Sequence, residues 1–151
     1  GYNLRPKEVS AAIGHNQLKK LNQFIKIRKI NRLKIIQRIK HNSYLNNKID
    51  FFYENKNVNP SWFGIPIKIL KKIKEKKKIL YNLEKHGVET RPIISGNFAK
   101  QPASIKYKLS LKRKFPMTDK VYNSSFFIGL PTKKITEKYL NKLVKAFEKS
   151  I

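Results

Sequence analysis

Residues 1–21 read GYNLRPKEVSAAIGHNQLKKL, and this stretch decides how the rest of the chain is interpreted. The opening Gly-Tyr-Asn predicts a tight turn that runs straight into a helix. Pro6 suits the first helical position, where no backbone N–H is needed, and Glu8 suits the positive end of the helix dipole. The chain has no initiator Met and enters this turn at once. We therefore interpret these residues as the interior of a longer protein.

The helical pattern continues to about residue 41, with one weak point near the middle. Val9, Ala12 and Ile13 form an apolar stripe in the first part. A second apolar face follows at helical spacing, and it consists of Phe24, Ile27, Ile30, Leu33 and Ile36. We predict that residues 1–42 form a helical segment that links a cofactor-binding domain, absent from this sequence, to a small domain.

Residues 43–151 are predicted to form that small domain, because strand-like and helix-like stretches alternate along them. Residues 49–53 are apolar enough for a short strand, and residues 61–69 alternate apolar and other side chains. Pro66 cannot donate to a ladder, so we expect it at a sheet edge or on an unpaired side of its strand. Residues 88–94 predict a further strand.

Two more helices complete the predicted α+β fold. Residues 70–86 predict one, capped by Gly87 in the left-handed conformation, with an inward face of Leu70, Ile73, Leu80 and Leu83. In the last helix Thr136 is the predicted N-cap, and Ile135 and Leu140 form a hydrophobic staple. Its inward face consists of Leu140, Leu143, Val144 and Phe147. We expect a short sheet with helices on one face, preceded by a long connecting helix.

Composition excludes several classes of protein. A chain of 151 residues with 40% hydrophobic residues is long and apolar enough for one folded domain. It contains no Cys, which excludes disulfides and cysteine metal sites. The longest apolar runs are a few residues long, too short to span a bilayer. We therefore expect a cytoplasmic protein with no membrane association.

The formal net charge of +26 would by itself suggest nucleic-acid binding. The basic residues are overwhelmingly Lys, however, and the chain is also rich in Ile, Asn, Phe and Tyr. These are the residues of adenine- and thymine-rich codons, and specific recognition of bases and phosphates favours Arg instead. We expect loose, salt-sensitive attraction to polyanions and no specific nucleic-acid partner.

Five stretches, in the same order, resemble those of the DegT/DnrJ/StrS family of pyridoxal-phosphate-dependent sugar aminotransferases and their dehydratase relatives. They cover nearly the whole chain. The stretches are 1–21, 60–66 (PSWFGIP), 83–92 (LEKHGVETRP), 95–102 (SGNFAKQP), and the pair 118–119 (TD) with 123–129 (NSSFFIG).

The form SGNFAKQP, together with the Trp-Phe-Gly of residues 62–64, resembles most closely the branch that includes the 3-dehydratases of nucleotide-linked 4-keto-6-deoxy sugars. The resemblance implies the small C-terminal domain of the aspartate-aminotransferase-type fold (fold type I), a homodimer with shared active sites, and pyridoxal or pyridoxamine phosphate as cofactor. It places the catalytic Lys of the aminotransferases, or the His of the dehydratases, upstream of this chain. Lys7 and Ser10 depart from the family's usual residues.

The resemblance also implies cofactor contacts near the start of the chain. In the family the Asn of Gly-Tyr-Asn crosses the dimer to the cofactor phosphate of the neighbouring site, which corresponds to Asn3 here. A side-chain amide on a fixed turn suits a phosphate oxygen, and Arg5 lies near enough in sequence to offer a second anion contact. The alternative is that Asn3 only caps its turn and Arg5 is a surface residue.

The candidate substrate contacts lie at and after the third predicted strand. Arg91 is one of six arginines and lies beside the loop of residues 95–101. Together with Ser95, Asn97 and Gln101 it is expected to hold the sugar or its diphosphate through charge-assisted hydrogen bonds. The alternative is an ordinary connecting loop with a salt-bridged arginine.

Other chemistry finds little support in the sequence. His15, His41 and His86 have no partner at ligand spacing, and zinc, nucleophile and phosphate-loop motifs are absent. Trp62 and the Phe residues are expected in the core. Two alternatives to a sugar enzyme remain open, a basic RNA-binding module and a non-catalytic remnant of the fold.

Overall fold

The computed structural model describes residues 7–94, 96–107, 109 and 114–151. Within these ranges the chain forms four strands, β1 (Ile49–Phe51), β2 (Gly64–Ile69), β3 (Thr90–Pro92) and β4 (Ser125–Gly129). The helices are α1 (Glu8–Leu18), α2 (Leu21–Lys40), α3 (Ser43–Asn46), α4 (Lys76–Lys85), α5 (Pro102–Lys106), α6 (Pro116–Ser124) and α7 (Glu137–Ser150). Two 3₁₀ turns lie at Ile73–Glu75 and Phe98–Lys100.

The strands form one antiparallel sheet in the order β1-β2-β4-β3. The register places Ile67 opposite both Phe51 and Phe126, and Ile128 opposite both Ile65 and Thr90. Since successive strand residues point to opposite faces, these apolar residues share one face of the sheet. The predicted α+β class is confirmed.

That apolar face of the sheet belongs to a single core with four of the helices. Ile65, Ile67 and Phe126 are fully buried there. The helices contribute Ile35 and Ile39 of α2, Leu45 of α3, Ile79 and Leu83 of α4, and Leu140, Leu143 and Phe147 of α7. The opposite face carries residues outside this core, and it is the face on which the candidate site lies.

The connecting segment is two helices, with a break at Lys19 and Lys20, where one continuous helix with a weak point was predicted. The first of them, α1, buries no residue, and Val9 and Ile13 of its predicted stripe are exposed. Only the second half of α2 enters the core. Its buried stripe is Asn31, Arg32, Ile35, Ile36 and Ile39.

The apolar face predicted for α2 was partly wrong. Ile36 is buried as expected, but Leu33 is exposed because it lies on the opposite side of the helix from Ile35. The boundary at residue 42 stays a prediction, and the last turns of α2 belong to the same core as the sheet.

The helix predicted at residues 70–86 begins later, at Lys76, because the strand runs to Ile69 and a 3₁₀ turn intervenes. Leu70 and Ile73 are therefore exposed, and the inward prediction for them was wrong. Ile79 and Leu83 form the buried face of α4 instead.

The end of α4 was predicted correctly. Gly87 has a φ of +79°, and its N–H bonds to the carbonyl of Glu84 at 2.9 Å. The next N–H, that of Val88, bonds to the carbonyl of Leu83 at 2.9 Å. This pair of bonds is the Schellman arrangement, and it turns the chain from α4 toward β3.

Pro66 lies in an interior strand, so the expectation of a sheet edge was wrong, but the expectation of an unpaired side fits the geometry. The β1–β2 ladder ends at the pair Phe51 and Ile67. Beyond it the carbonyl of Pro66 accepts from the N–H of Phe52 at 3.5 Å. A strand residue directs its nitrogen and its carbonyl to the same neighbour, so the proline nitrogen faces the point where β1 has ended.

The start of α7 also follows its prediction. The hydroxyl of Thr136 accepts from the N–H of Tyr139 at 3.2 Å, which satisfies a backbone donor that the helix itself leaves free. Ile135 and Leu140 are both buried, as a hydrophobic staple requires. Among the described residues, no helix combines the length and the apolar character needed to cross a bilayer.

Candidate functional site

A shallow apolar hollow of about 220 Å³ lies on the sheet face opposite the core, which we call the open face. Phe63 and Phe127 meet edge to face across it, with ring centroids 5.3 Å apart. Between them, a Cβ on Gly64 would lie 2.6 Å from Cδ2 of Phe127 and 2.8 Å from the carbonyl oxygen of Ile128. The glycine is therefore required for the close approach of β2 and β4. The remaining lining residues are Trp62, Pro66, Ile93 and Ile94.

Trp62 is held from behind by a buried arginine. The guanidinium carbon of Arg32 lies 4.5 Å from the ring centroid of Trp62, and its Nη2 donates to the carbonyl of Phe52 at 2.6 Å. The other terminal nitrogen pairs with the carboxylate of Glu54 at 3.1 Å. Stacking and two directed contacts fix the arginine, and the arginine in turn fixes the indole at the edge of the hollow.

Arg91 lies on the same face of the sheet as the hollow, because its register partner in β4 is Phe127. Its Nε and Nη2 both donate to Oε1 of Glu89, at 2.9 and 2.5 Å. The side chain is 65% exposed. The guanidinium of Arg91 therefore lies beside an apolar surface. It is held by Glu89, two residues earlier, and is still open to solvent.

After β3 the chain makes a tight turn at residues 96–100, and Asn97 within it is only 5% exposed. The side-chain oxygen of Asn97 accepts from the N–H of Ala99 at 3.0 Å and so caps the 3₁₀ turn. Its amide nitrogen donates to Oδ1 of Asp119 at 2.8 Å. The Nζ of Lys100 reaches the same oxygen at 2.8 Å. A single carboxylate on α6 therefore ties together both ends of this turn.

Electrostatics favour the ionised form of Asp119. The hydrogen bond from Asn97 and then that from Lys100 hold the pKa of Asp119 below the ordinary value. Burial opposes them, and the charge of Lys100 adds a smaller lowering. Near the end of α6, Nζ of Lys76 donates to the carbonyl of Tyr122 at 2.6 Å, and burial lowers the pKa of that lysine. The helix that holds the loop is therefore itself held by a contact from the start of α4.

A larger groove of about 690 Å³ lies at another edge of the sheet, between the end of α4 and the side of α7. His86, Glu89, Tyr139 and Lys142 contribute its polar groups. Burial raises the pKa of Tyr139. Phe63 lines both this groove and the hollow, whereas none of the predicted substrate residues lines the groove. Across the described ranges, no cluster of three or more His, Asp or Glu is arranged to hold a metal ion.

The structure describes only some of the predicted site residues. Asn3, Arg5 and Ser95 lie outside the described residues. Arg91 is at the rim of the hollow, and Asn97 is inside the loop that follows. Gln101 ends the 3₁₀ turn, where its N–H bonds to the carbonyl of Phe98 at 3.0 Å, and it precedes α5.

Sequence reasoning missed two features of this region. Asp119 was noticed only as part of a family stretch, although a carboxylate in the first turn after Pro116 is a signal for a helix start. The exposed aromatic surface was also missed, since Phe63 and Phe98 are 56% and 52% exposed and not in the core as expected. Alternation along residues 63–69 would have placed Phe63 and Ile65 on one face, but Phe63 precedes the strand.

The fold is that of one part of a fold type I enzyme, as comparison with solved structures shows. Escherichia coli GDP-4-keto-6-deoxy-D-mannose-3-dehydratase, solved with bound hydrated PLP, superposes with a TM-score of 0.81 at 30% identity, over 97% of this chain and 36% of that one. Helicobacter pylori PseC, an aminotransferase, superposes with a TM-score of 0.77 at 21% identity, over 98% and 39% of the two chains. At that identity the second match shows the fold alone.

Sequence comparison identifies the family. The chain belongs to the DegT/DnrJ/EryC1/StrS aminotransferase family, which it matches over residues 1–148. It is 39% identical over 109 residues to the GDP-4-keto-6-deoxy-D-mannose 3-dehydratase of Escherichia coli O55:H7, over 71% of this chain and 26% of that protein. It is 29% identical over 150 residues to the lipopolysaccharide biosynthesis protein RfbH of Salmonella typhimurium, over 98% and 33%. The chain thus spans between a quarter and a third of the curated relatives it matches.

Proposed function

We propose that this chain is part of an enzyme that acts on a nucleotide-linked 4-keto-6-deoxy sugar with pyridoxal or pyridoxamine phosphate, and that the reaction is a 3-dehydration. One observation carries the proposal. The relative that is 39% identical in sequence and the structure with the TM-score of 0.81 are both named as 3-dehydratases of GDP-4-keto-6-deoxy-D-mannose. The superposed aminotransferase shares the fold at much lower identity.

The cofactor contacts we propose are Asn3 and Arg5. Their chemistry suits the phosphate of the cofactor, because an amide N–H and a guanidinium both donate hydrogen bonds to phosphate oxygens. The bound cofactor supplies the electron sink for the bond changes in the sugar, and the protein supplies binding and orientation. This chain's contribution is thus to hold the cofactor in place and to present a surface to the sugar nucleotide.

The substrate contacts we propose are Arg91, on the open face of the sheet, and the loop that follows β3. Arg91 offers a positive charge to a sugar diphosphate at the rim of the apolar hollow. The loop of residues 95–101, with Ser95, Asn97 and Gln101, would lie beside the sugar. The Glu89 pair supports this role, since it holds the guanidinium in one orientation while most of its surface stays open.

The assembly and setting follow from the same proposal. We propose a homodimer with shared active sites, in which Asn3 serves the neighbouring protomer's cofactor. The enzyme would be cytoplasmic and would make deoxy sugars for surface polysaccharide. We attribute the high positive charge to the exposed lysines and propose no specific nucleic-acid partner.

The test is an assay of the complete protein with GDP-4-keto-6-deoxy-D-mannose, either form of the cofactor, and glutamate as the amino donor that regenerates pyridoxamine phosphate. We expect a product that has lost the oxygen at C3, detected by mass spectrometry and NMR. A product that gains nitrogen at C4 and keeps its C3 oxygen would make the protein an aminotransferase. No conversion of this sugar under either condition would reject the proposal.

Substitution of Arg91 tests the substrate surface separately. Arg91→Ala should raise the KM for the sugar nucleotide by about tenfold, the usual result of removing one charge-assisted contact to a phosphate. Arg38→Ala is the matched control, because Arg38 is also an exposed arginine paired with a glutamate, here Glu137, and it lies on α2 away from the hollow. Equal KM values for both variants would remove Arg91 from the substrate site.

A further inference from the structure

The carboxylate of Asp119 connects two elements that are distant in the chain. It lies in the first turn of α6, where its own N–H bonds to the carbonyl of Phe115 at 3.0 Å. Its Oδ1 accepts from Asn97 and from Lys100, each at 2.8 Å. The aspartate is thus fixed by its helix and holds a loop that lies about twenty residues earlier in the sequence.

The same loop meets α6 at a second point. Gly96 adopts a φ of +53°, and a Cβ there would lie 2.3 Å from Cδ2 of Tyr122. Lys76 fixes Tyr122 in turn, through the bond from its Nζ to the tyrosine's carbonyl. Residues 96–100 therefore rest on α6 through a ring contact at one end and an ion pair at the other.

Asn97 is directed into this assembly and not away from it. Both polar atoms of its side chain have partners within the chain, Ala99 for the oxygen and Asp119 for the nitrogen. A buried amide satisfied in this way shapes the backbone around it. The groups that the loop presents outward are therefore set by the conformation that Asn97 and Asp119 impose.

We propose that Asp119 is a positioning residue of the substrate site: it holds Asn97 and Lys100 against α6 and thereby fixes the loop that faces the sugar nucleotide. The inference rests on the proposed function, because the loop's substrate is the one proposed there. It gives Asn97 an action through loop geometry in addition to the sugar contact proposed for its loop.

Two effects would follow from removing the carboxylate. Asn97 would lose the acceptor for its amide nitrogen, which leaves a buried donor unsatisfied and favours a different loop conformation. Lys100 would lose its counter-ion, so its side chain would no longer be held in one position. Both effects displace binding groups without touching the cofactor or the reacting atoms.

The experiment measures KM and kcat of the complete holoenzyme with GDP-4-keto-6-deoxy-D-mannose. Asp119→Ala should raise KM by about tenfold and leave kcat within about twofold, because displaced binding groups weaken the binding of the substrate and of its transition state equally. Asp119→Asn keeps an acceptor for Asn97, and Lys100→Met removes only the ion pair, so both should show smaller and similar increases. Cofactor affinity should stay at the wild-type value in all three.

Asp50→Ala is the matched control. Asp50 also pairs with a lysine at 2.8 Å, Lys40, but it lies on the edge strand β1. Its removal should leave KM unchanged. If Asp119→Ala and Asp50→Ala give the same KM, or if kcat and cofactor affinity fall while KM rises, Asp119 is a general structural residue and the inference is overturned.

Two further results keep the test decisive. Should Asp119→Ala fail to fold, the Asp119→Asn and Lys100→Met variants decide, and a wild-type KM in both overturns the inference. Should the wild-type protein fail to convert the sugar, the proposed function fails first, and the inference falls with it. Conversion by the wild type with unchanged KM in every variant rejects the inference alone.

Discussion

Gly96 is held at a φ of +53°, and the ring of Tyr122 occupies the place where a side chain would begin. Gly87 has a similar backbone conformation, with a φ of +79°, but a Cβ there would meet nothing within 4 Å. Both glycines have a backbone conformation that disfavours a side chain. At Gly96, in addition, a side chain would collide with Tyr122, whereas at Gly87 there is space for it.

We predict that Gly96→Ala lowers the free energy of unfolding more than Gly87→Ala does. The left-handed conformation alone costs an L residue about 1–2 kcal/mol, and this cost applies to both positions. The contact with Tyr122 adds to it only at Gly96. Urea unfolding of the two variants measures the difference, and equal losses would mean that the tyrosine ring moves aside without cost.

Asp119 and Asp50 make stability depend on pH in the acid range. Partial burial raises the pKa of Asp50, but the hydrogen bond from Lys40, the N–H of Phe51 and the charges of Lys40 and Lys68 outweigh it, so the net shift is downward. The pKa of Asp119 is lowered by Asn97 and Lys100. A carboxylate with a lowered pKa in the folded state stabilises the fold above its ordinary pKa.

We predict that stability is retained above the ordinary aspartate pKa of 3.8 and is lost as pH falls through the lower values of the folded state. Asp119→Asn should lose less stability than wild type between about pH 5 and pH 2, because it no longer binds a proton on unfolding. Urea unfolding across this pH range measures the effect. Parallel curves for wild type and variant would show that Asp119 is not held in its charged form.

At the scale of elements, the two helices of the connecting segment differ in what they contact. The first, α1, has no buried residue, and Val9 and Ile13 are 72% and 59% exposed. The second, α2, places Ile35 and Ile39 in the core. Isoleucines in these two adjacent helices should therefore contribute differently to the free energy of unfolding.

We predict that Ile13→Ala changes the free energy of unfolding by less than about 0.5 kcal/mol, as for other exposed sites, whereas Ile39→Ala costs about 2–5 kcal/mol. Urea unfolding of this chain at low concentration tests both. A large loss for Ile13→Ala would mean that α1 is covered by a second copy. Sedimentation would then show the self-association that an exposed apolar stripe favours.

Elements with local signals could be predicted from the sequence. Gly87 after Leu83 gave the end of α4, and Thr136 before Leu140 gave the start of α7, because caps depend on residues a few positions apart. The inward faces of α2 and α4 were less predictable. Apolar residues occur all round α2, so several stripes fit the helical period, and only packing against the sheet selects the one through Ile35 and Ile39.

The site residues named from the sequence stay predictions. The resemblance pointed to Arg91 and the loop after it, and Arg91 lies opposite Phe127, which lines the hollow. The partner of Asn97 is Asp119 on another element. No local pattern joins residues so far apart, so the hydrogen bond between Asn97 and Asp119 could not be predicted from the sequence.

At the scale of the whole molecule, the net charge of +26 arises because 35 lysines and arginines face only nine acidic residues. The buried arginine Arg32 is stacked on Trp62 and paired with Glu54, and so serves the fold. The lysines that face solvent produce a general positive field. Such a field attracts polyanions without selecting among them.

We predict that binding to an RNA of random sequence is strong at low salt and falls by about 10³-fold or more between 50 and 200 mM salt, as for contacts made only to phosphates. Filter binding across this range measures it. Retained, sequence-dependent affinity at the higher salt would instead support the alternative of an RNA-binding module.

The central claim is that this chain supplies one side of a pocket for a cofactor and a sugar nucleotide. The most direct measurement is a crystal structure of the complete protein with pyridoxal phosphate and a GDP-linked sugar. The account predicts that Asn3 donates to the cofactor phosphate of the neighbouring protomer and that Arg91 and residues 95–101 face the sugar nucleotide. The account is contradicted if the turn at Asn3 and the hollow beside Arg91 both face bulk solvent, remote from either ligand.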